Sequence, residues 1–325
     1  DHARRAAHLC KHDLVSQMVG EFPELQGLIG GKYLLAEGEA RSVALAVQEH
    51  YLPKGAADEL PTSEAGAVVA LAERLELLLS IYSKGERPTG SSDPYALRRA
   101  GNGIVQILKA NGWPFDLGAL LRRAASHWSG LLPHFQVDPA LLAVELAEFL
   151  RQRVMSLLEE DGVDGDLVQA VAGDPKAVDR ILADPADISR RVELLVELRR
   201  SGQLAAVQAV VTRAARLAEK GDLPSQVLSA NGVVDPGLFE KNSETAMLAV
   251  LNALEPIATR RSAERYGELA QGLSSGAEAL AAFFDGDQSV MVMVDEPALR
   301  ANRLNLLGVL RNQAAVLADF SLISA

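Results

Sequence analysis

His8 and His12 stand four residues apart, with Cys10 between them and Asp13 next in line. Two imidazoles at i and i+4 share one helix face and can chelate a metal ion. A complete site needs further ligands, and no third and fourth follow at suitable spacing, so a pair of partly exposed histidines on an amphipathic helix is the competing reading. His50, in Glu49-His50-Tyr51, could act as a base or stack on an unpaired nucleobase; equally it is a helix-end histidine favoured there by the macrodipole. Cys10 is the single cysteine, which excludes an internal disulfide. No phosphate-binding loop, dinucleotide fingerprint or clustered zinc ligands occur, and Gly27, Gly30 and Gly31 read as turns. No residue is assigned a catalytic or metal-ligating role.

The arginines offer a different chemistry. Arg98-Arg99, with Lys109 and Arg122-Arg123, form one cationic neighbourhood. Arg190-Arg191, Arg199-Arg200, Arg213 and Arg216 form a second, and Arg260-Arg261 with Arg265 a third. Arg300, Arg303 and Arg311 form a fourth, on one broad helix face. Each phosphate such a residue contacts adds salt-dependent affinity through counterion release, and arginine also stacks on unpaired bases. The alternative is a solvated helix face with ion pairs of about 0.3–0.5 kcal/mol each. A net charge of −11 argues against a general nucleic-acid binder. It leaves room for local basic patches on an otherwise acidic surface.

These side chains need helices to position them. At 325 residues, 48% apolar and only 5% aromatic, the composition favours an all-α chain of two or three modules. A first helix is expected over residues 1–20, a turn over 21–31, a second helix over 42–51 and a polar loop over 52–61. Thr62 or Ser63 would cap a third helix over 65–82. The run Pro88-Thr89-Gly90-Ser91-Ser92-Asp93-Pro94 then leads into a helix over 95–111, with Asp93 as N-cap, Pro94 first in the helix, and Asn111-Gly112 as the stop before Trp113-Pro114. A second helical set occupies 116–190, with Asp138-Pro139 and Asp174-Pro175 as starts, 141–159 the longest apolar-periodic stretch and 161–166 a turn. A third set follows at 188–201, 203–220, 237–254, 262–284 and 297–319; Val290–Val294 is the best strand candidate but is short and equally compatible with buried helix or loop, and no sheet is assigned. No apolar run approaches the ~18 residues needed to span a bilayer, which with one cysteine points to a cytoplasmic protein. The chain opens on Asp with residues that already read as helix, so a fragment of a longer protein is expected.

Five short runs recur in a telling order: Met18-Val19-Gly20-Glu21-Phe22-Pro23-Glu24-Leu25-Gln26-Gly27, Glu49-His50-Tyr51-Leu52-Pro53, the Pro88–Ala100 run, Ala281-Ala282-Phe283-Phe284-Asp285 with Val290-Met291-Val292-Met293, and Leu299-Arg300-Ala301-Asn302-Arg303-Leu304. Together they closely resemble the beta subunit of bacterial glycyl-tRNA synthetase, over nearly the whole chain and roughly its C-terminal half. The resemblance implies an HD-like helical domain over 1–125, an intermediate helical body over 126–187 and an all-helical DALR-like anticodon-binding domain over 188–325. His12-Asp13 spells the doublet of the HD phosphohydrolases, yet the family's own metal positions fall elsewhere: on His2, on Glu21-Phe22 and near Glu73. Phenylalanine cannot ligate a metal, so the site is expected to be dismantled. Pro297-Ala298-Leu299-Arg300 resembles the Asp-Ala-Leu-Arg signature, also seen in arginyl-tRNA synthetases, with Pro in place of Asp. Two departures are a Lys-Arg-x-x-Asn pattern that falls on Thr212, Arg213 and Arg216, and an insertion near 286–289.

By this resemblance the chain binds tRNA-Gly through its anticodon loop and acceptor side and supports ATP-dependent glycylation. It binds no cofactor itself; ATP and magnesium belong at the alpha subunit, its partner in an alpha2beta2 assembly. The candidate RNA contacts are Arg98, Arg99, Arg213, Arg216, Arg260, Arg261, Arg300 and Arg303. Two other readings are a metal-dependent HD-type phosphohydrolase and a helical protein-interaction scaffold.

Overall fold

The structure, a computed structural model, describes residues 1–55, 58–113 and 115–324. Among them are sixteen α-helices joined by short 3-10 turns, and no strand. The all-α expectation therefore holds. Pro114 lies outside the described residues. Among the described residues no helix is long and apolar enough to cross a membrane.

By contact the chain forms two units, 1–157 with 175–186 and 158–174 with 187–325. Residues 126–187, expected as an intermediate body, contribute to both.

The first unit contains α1 (His2–Leu9), α2 (Gln17–Glu21), α3 (Leu28–Ala36), α4 (Arg41–Glu49), α5 (Glu64–Ser83), α6 (Leu97–Asn111), α7 (Leu117–Leu131) and most of α8 (Pro139–Glu160). α4 is its centre, with α1, α3 and α5 packed around it and α6 lying on α5. Ala6, Cys10, Leu34, Val43, Ala44, Ala46, Val47 and Val69 form a core of mostly small side chains, which lets these helices approach closely. Ser63 caps α5 by accepting from Gly66 N–H at 3.0 Å. Gly112 ends α6 at φ +59°.

The second unit holds α9 (Gly165–Ala172), then, beyond the first-unit helix α10 (Val178–Ala183), α11 (Pro185–Arg200), α12 (Leu204–Ala218), α13 (Asn242–Thr259), α14 (Arg265–Ser275), α15 (Ala277–Ala282) and α16 (Pro297–Ala314). α16 is buried along most of its length and packs on α12 and α13.

Several expected elements come out differently. The first helix stops at Leu9, because Asp13 turns inward: it is 1% exposed, and its Oδ2 accepts from Gly27 N–H at 2.7 Å and Gly30 N–H at 3.1 Å. The expected turn over 21–31 contains the start of α3. Only Gly27, at φ +78°, is a turn glycine; Gly30 and Gly31 are helical contact points. α6 begins at Leu97, not at Pro94, yet both Asp93 carboxylate oxygens still cap it, accepting from Leu97 and Arg98 N–H at 2.8 and 2.9 Å. The 262–284 helix breaks into two at Gly276, where a Cβ would meet Val250 at 2.7 Å. The 237–254 helix starts only at Asn242, where Glu244 accepts from the Lys241 N–H. Of the readings open for Val290–Val294, strand, buried helix or loop, the structure gives loop, with side chains of α16 taking the carbonyls of Met291 and Val294.

The close approach of α3 to α4 predicts a contrast between two glycines. A Cβ on Gly31 would lie 2.3 Å from Gln48 Cγ and 2.5 Å from the Ala44 carbonyl, whereas one on Gly20 meets nothing within 4 Å. Gly31→Ala is expected to destabilise by about 1–3 kcal/mol through overpacking, and Gly20→Ala to be neutral or stabilising by up to about 1 kcal/mol. Urea unfolding midpoints of the two variants check this.

Candidate functional site

In the first unit three of the sequence runs meet at one cleft of ≈ 500 Å³. Pro23, Glu24 and Gln26 come from the turn before α3. Tyr51, Pro53 and Lys54 follow α4, and Ala96, Arg99 and Ala100 open α6. Glu73, Arg74 and Leu77, from α5, complete it. A second cavity of ≈ 290 Å³, lined by Arg98, Arg99, Asn102 and Gln106 among others, adjoins the same start of α6. Thus Arg98 and Arg99 are brought to a concave surface, with Arg99 exposed.

Arg74 organises the cleft. It is 7% exposed, and its two terminal nitrogens donate to the carbonyls of Ala70 and Pro53 at 2.8 Å, Tyr51 at 3.0 Å and His50 at 3.3 Å. Those of His50, Tyr51 and Pro53 are the otherwise unsatisfied carbonyls beyond the end of α4, so Arg74 does for the helix terminus what backbone partners would do elsewhere. Burial pulls its pKa down to about 10, with Glu73 acting in the opposite direction. The guanidinium therefore stays charged at neutral pH. Gly103 of α6 makes room for it: a Cβ there would sit 2.4 Å from Arg74 Nε.

Beside it, Lys11 Nζ donates to Glu73 Oε1 at 2.6 Å, lies 3.2 Å from His50 Nε2 and sits 4.0 Å from the centroid of the Tyr51 ring. Lysine can only donate, so His50 Nε2 accepts and Nδ1 carries the proton that it gives to the Val47 carbonyl at 2.6 Å. His50 is fully buried, and burial, reinforced by the Lys11 charge, pushes its pKa down to about 4. The helix-end location does not keep it charged: desolvation outweighs the macrodipole, and His50 is a neutral, inward-facing group unable to stack on a ligand.

The metal reading of the N-terminal histidines has no geometric support. α1 ends before His12, so His8 and His12 do not share a helix face; His12 Nδ1 instead lies 2.8 Å from the Leu9 carbonyl. His2 Nδ1 lies 2.8 Å from Ser42 Oγ, and Phe22 is 51% exposed. Among the described residues no three His, Cys, Asp or Glu side chains are grouped to hold a metal ion.

The second unit distributes its arginines unequally. Arg213 ion-pairs with Asp285 at 2.7 Å and lies over the Phe284 ring at 4.6 Å from its centroid, while Arg216 is exposed on the same helix. Arg260 pairs with Glu268 at 2.7 Å, and Arg261 is exposed beside it. Arg300 donates to the Val294 carbonyl at 3.1 Å. Arg303 is 2% exposed, with Nε on Glu244 at 3.1 Å, Nη1 on the Met291 carbonyl at 3.0 Å and Nη2 on Glu240 at 2.7 Å. All its nitrogens are occupied, so it is a core ion-pair residue with no face left for RNA. Arg311 likewise donates to the Leu223 carbonyl at 3.0 Å. Of the expected cationic face only Arg303 is interior; Arg300 and Arg311 are half-buried, each spending a donor on a backbone carbonyl.

Sequence reasoning missed Arg74 as an anchor. The available signal was its position: it falls on the stripe Ala67, Ala70, Arg74, Leu78, where an apolar residue belongs and an arginine must therefore be satisfied from within. Glu244, fully buried, left no comparable trace.

Comparison with known proteins gives this helical architecture its family. Residues 1–173 match the model described as glycyl-tRNA synthetase beta subunit. The glycine–tRNA ligase beta subunit of Acaryochloris marina is 47% identical over 322 residues, 98% of this chain and 45% of that protein. That of Synechocystis is 42% identical over 328 residues, again 98% and 45%, and that of an Anaeromyxobacter strain 39% over 326 residues, 98% and 43%. The chain belongs to the glycyl-tRNA synthetase beta subunit family. It spans less than half the length of the curated relatives it matches.

Two outcomes follow from the electrostatics. Between pH 6.5 and about 4 the unfolded chain binds a proton at His50 that the folded chain refuses, so stability falls as pH drops through that window, by roughly 3 kcal/mol in total for this group. Long-range proton–nitrogen NMR spectra should show His50 in the Nδ1–H tautomer from pH 8 to 5; a midpoint near 6.5 would contradict the burial argument. In the second unit, Arg303→Ala strands the buried Glu244 carboxylate and should cost ~3–5 kcal/mol. Exposed Arg261→Ala should stay within about 0.5 kcal/mol of the parent, as guanidinium unfolding curves can verify.

Proposed function

We propose that this chain is the tRNA-recognition part of a glycine–tRNA ligase beta subunit, binding tRNA-Gly in support of ATP-dependent glycylation carried out with an alpha subunit. Family membership carries this reading, joined to one observation: the sequence runs that mark the family in the first unit converge on a cleft with Arg74, Arg99 and Lys54 in its lining. In a chain of net charge −11, such a local cationic surface is where a polyanion would be accepted. The HD-like part, 1–125, would guide the acceptor side, and the DALR-like part, 188–325, would read the anticodon loop. Arg98 and Arg99 are the contacts proposed for the first, and Arg213, Arg216, Arg260, Arg261 and Arg300 for the second. ATP and magnesium would be held by the alpha subunit in an alpha2beta2 cytoplasmic enzyme, and this chain alone would form no glycyl-adenylate.

The test is binding of tRNA-Gly at about 50 and about 200 mM salt, beside a tRNA changed at the second or third anticodon base. Affinity should fall with salt, and the altered anticodon should cost ~1–3 kcal/mol. Arg260→Ala with Arg261→Ala should reduce the salt slope by about one per phosphate contact removed. Equal binding of both tRNAs would remove the anticodon-reading role, and absence of binding to either would remove tRNA recognition by this chain.

A further inference from the structure

Arg74 is a buried cation with no anion of its own. It makes no ion pair among the described residues, and its four acceptors are neutral carbonyls, which solvate the charge without cancelling it. The nearest candidate, Glu73, is taken by Lys11 at 2.6 Å. Elsewhere in the chain a buried arginine is compensated: Arg303 has Glu244 and Glu240, Arg191 has Asp187 and Arg151 has Glu148. An unneutralised buried charge is costly, and this one faces a cavity large enough for a nucleotide-sized molecule, ≈ 500 Å³. Arg99 and Lys54, both exposed, add two more cations to the same lining, where the acids are Glu73 and Glu24. Apart from Gln26 the rest of the wall is largely apolar, with the Tyr51 ring and Leu77 beside Pro23 and Pro53.

We propose that this cleft binds a phosphate monoester of nucleotide size. Arg99 and Lys54 contact the phosphate directly. Arg74, whose terminal nitrogens are already spent on carbonyls, supplies its field, and the Tyr51 and Leu77 wall takes the organic part. The site goes beyond tRNA recognition, since a free nucleoside monophosphate and the phosphorylated end of an RNA present the same group.

Calorimetric titration of the chain with adenosine monophosphate and with adenosine tests this. The monophosphate should bind at least about 10-fold tighter than the nucleoside, as expected for charge-assisted contacts to one phosphate. Arg99→Ala should remove about 10-fold of that affinity with an unchanged melting temperature, and Arg261→Ala should remove none. A short 5′-phosphorylated RNA added in competition separates the sources: displacement of the monophosphate assigns the site to RNA ends, and its absence assigns it to free nucleotides, both within the proposal. Equal binding of adenosine and its monophosphate, or an Arg99→Ala variant that binds as the parent does, would overturn it. Because tRNA-Gly is absent from this titration, the site can fail while tRNA recognition stands, and the converse.

Discussion

One guanidinium sets the geometry of the first unit. The chain leaves α4 at Glu49 and must turn through His50, Tyr51, Leu52 and Pro53 with carbonyls that no helix partner satisfies. Arg74 gathers three of them together with Ala70 of its own helix. That holds the Tyr51 backbone, and the Tyr51 ring leaves room beside it only for a glycine at position 27, where a Cβ would lie 2.9 Å from Tyr51 Cδ2. The same constraint requires glycine at 103. Motifs distant in sequence are thus tied to one side chain: the turn before α3, the exit from α4 and the start of α6 all reach the cleft that Arg74 underlies.

The second unit solves a comparable problem by another means. Residues 219–241 run from α12 to α13 with little regular structure, yet they cannot leave buried backbone groups unpaired. α16 supplies the partners through its polar side chains. Asn302 exchanges two hydrogen bonds with the Asp235 backbone at 2.7 and 3.0 Å. Asn312 donates to Pro224 and Val227 carbonyls at 2.8 Å each, and Gln313 to Leu228 at 2.7 Å and Leu251 at 3.0 Å. An amide offers both a donor and an acceptor in a compact group, which suits it to stitching irregular backbone to a helix. The arginines of α16 do the same for the segment around Met291 and Val294, which is why a helix that looks cationic from its sequence is an interior one.

Charged residues show where reading from sequence stops. Arg98, Arg99, Arg216 and Arg261 remain accessible, as isolated surface positions should. Arg303 and Arg74 do not; Arg303 differs from the others in neither residue type nor local spacing, and Arg74 only in falling on the apolar stripe of α5. What separates them is the depth of the surface they stand on, a property of helix packing. His50 illustrates the same limit: local sequence puts it at a helix end, where charge would be favoured, and the tertiary structure buries it, where charge is disfavoured by more.

Helix content, most helix ends and the family were determined by sequence alone, because they depend on local propensity, capping residues such as Ser63, Asp93 and Asp138, and short runs preserved in order. The tertiary structure alone decided which glycines turn and which pack, where α1 breaks, and which cations face solvent. Each of those depends on a partner far away in sequence: Gly30 on Asp13, Gly31 on Gln48, Arg303 on Glu244 and Arg74 on the backbone beyond α4.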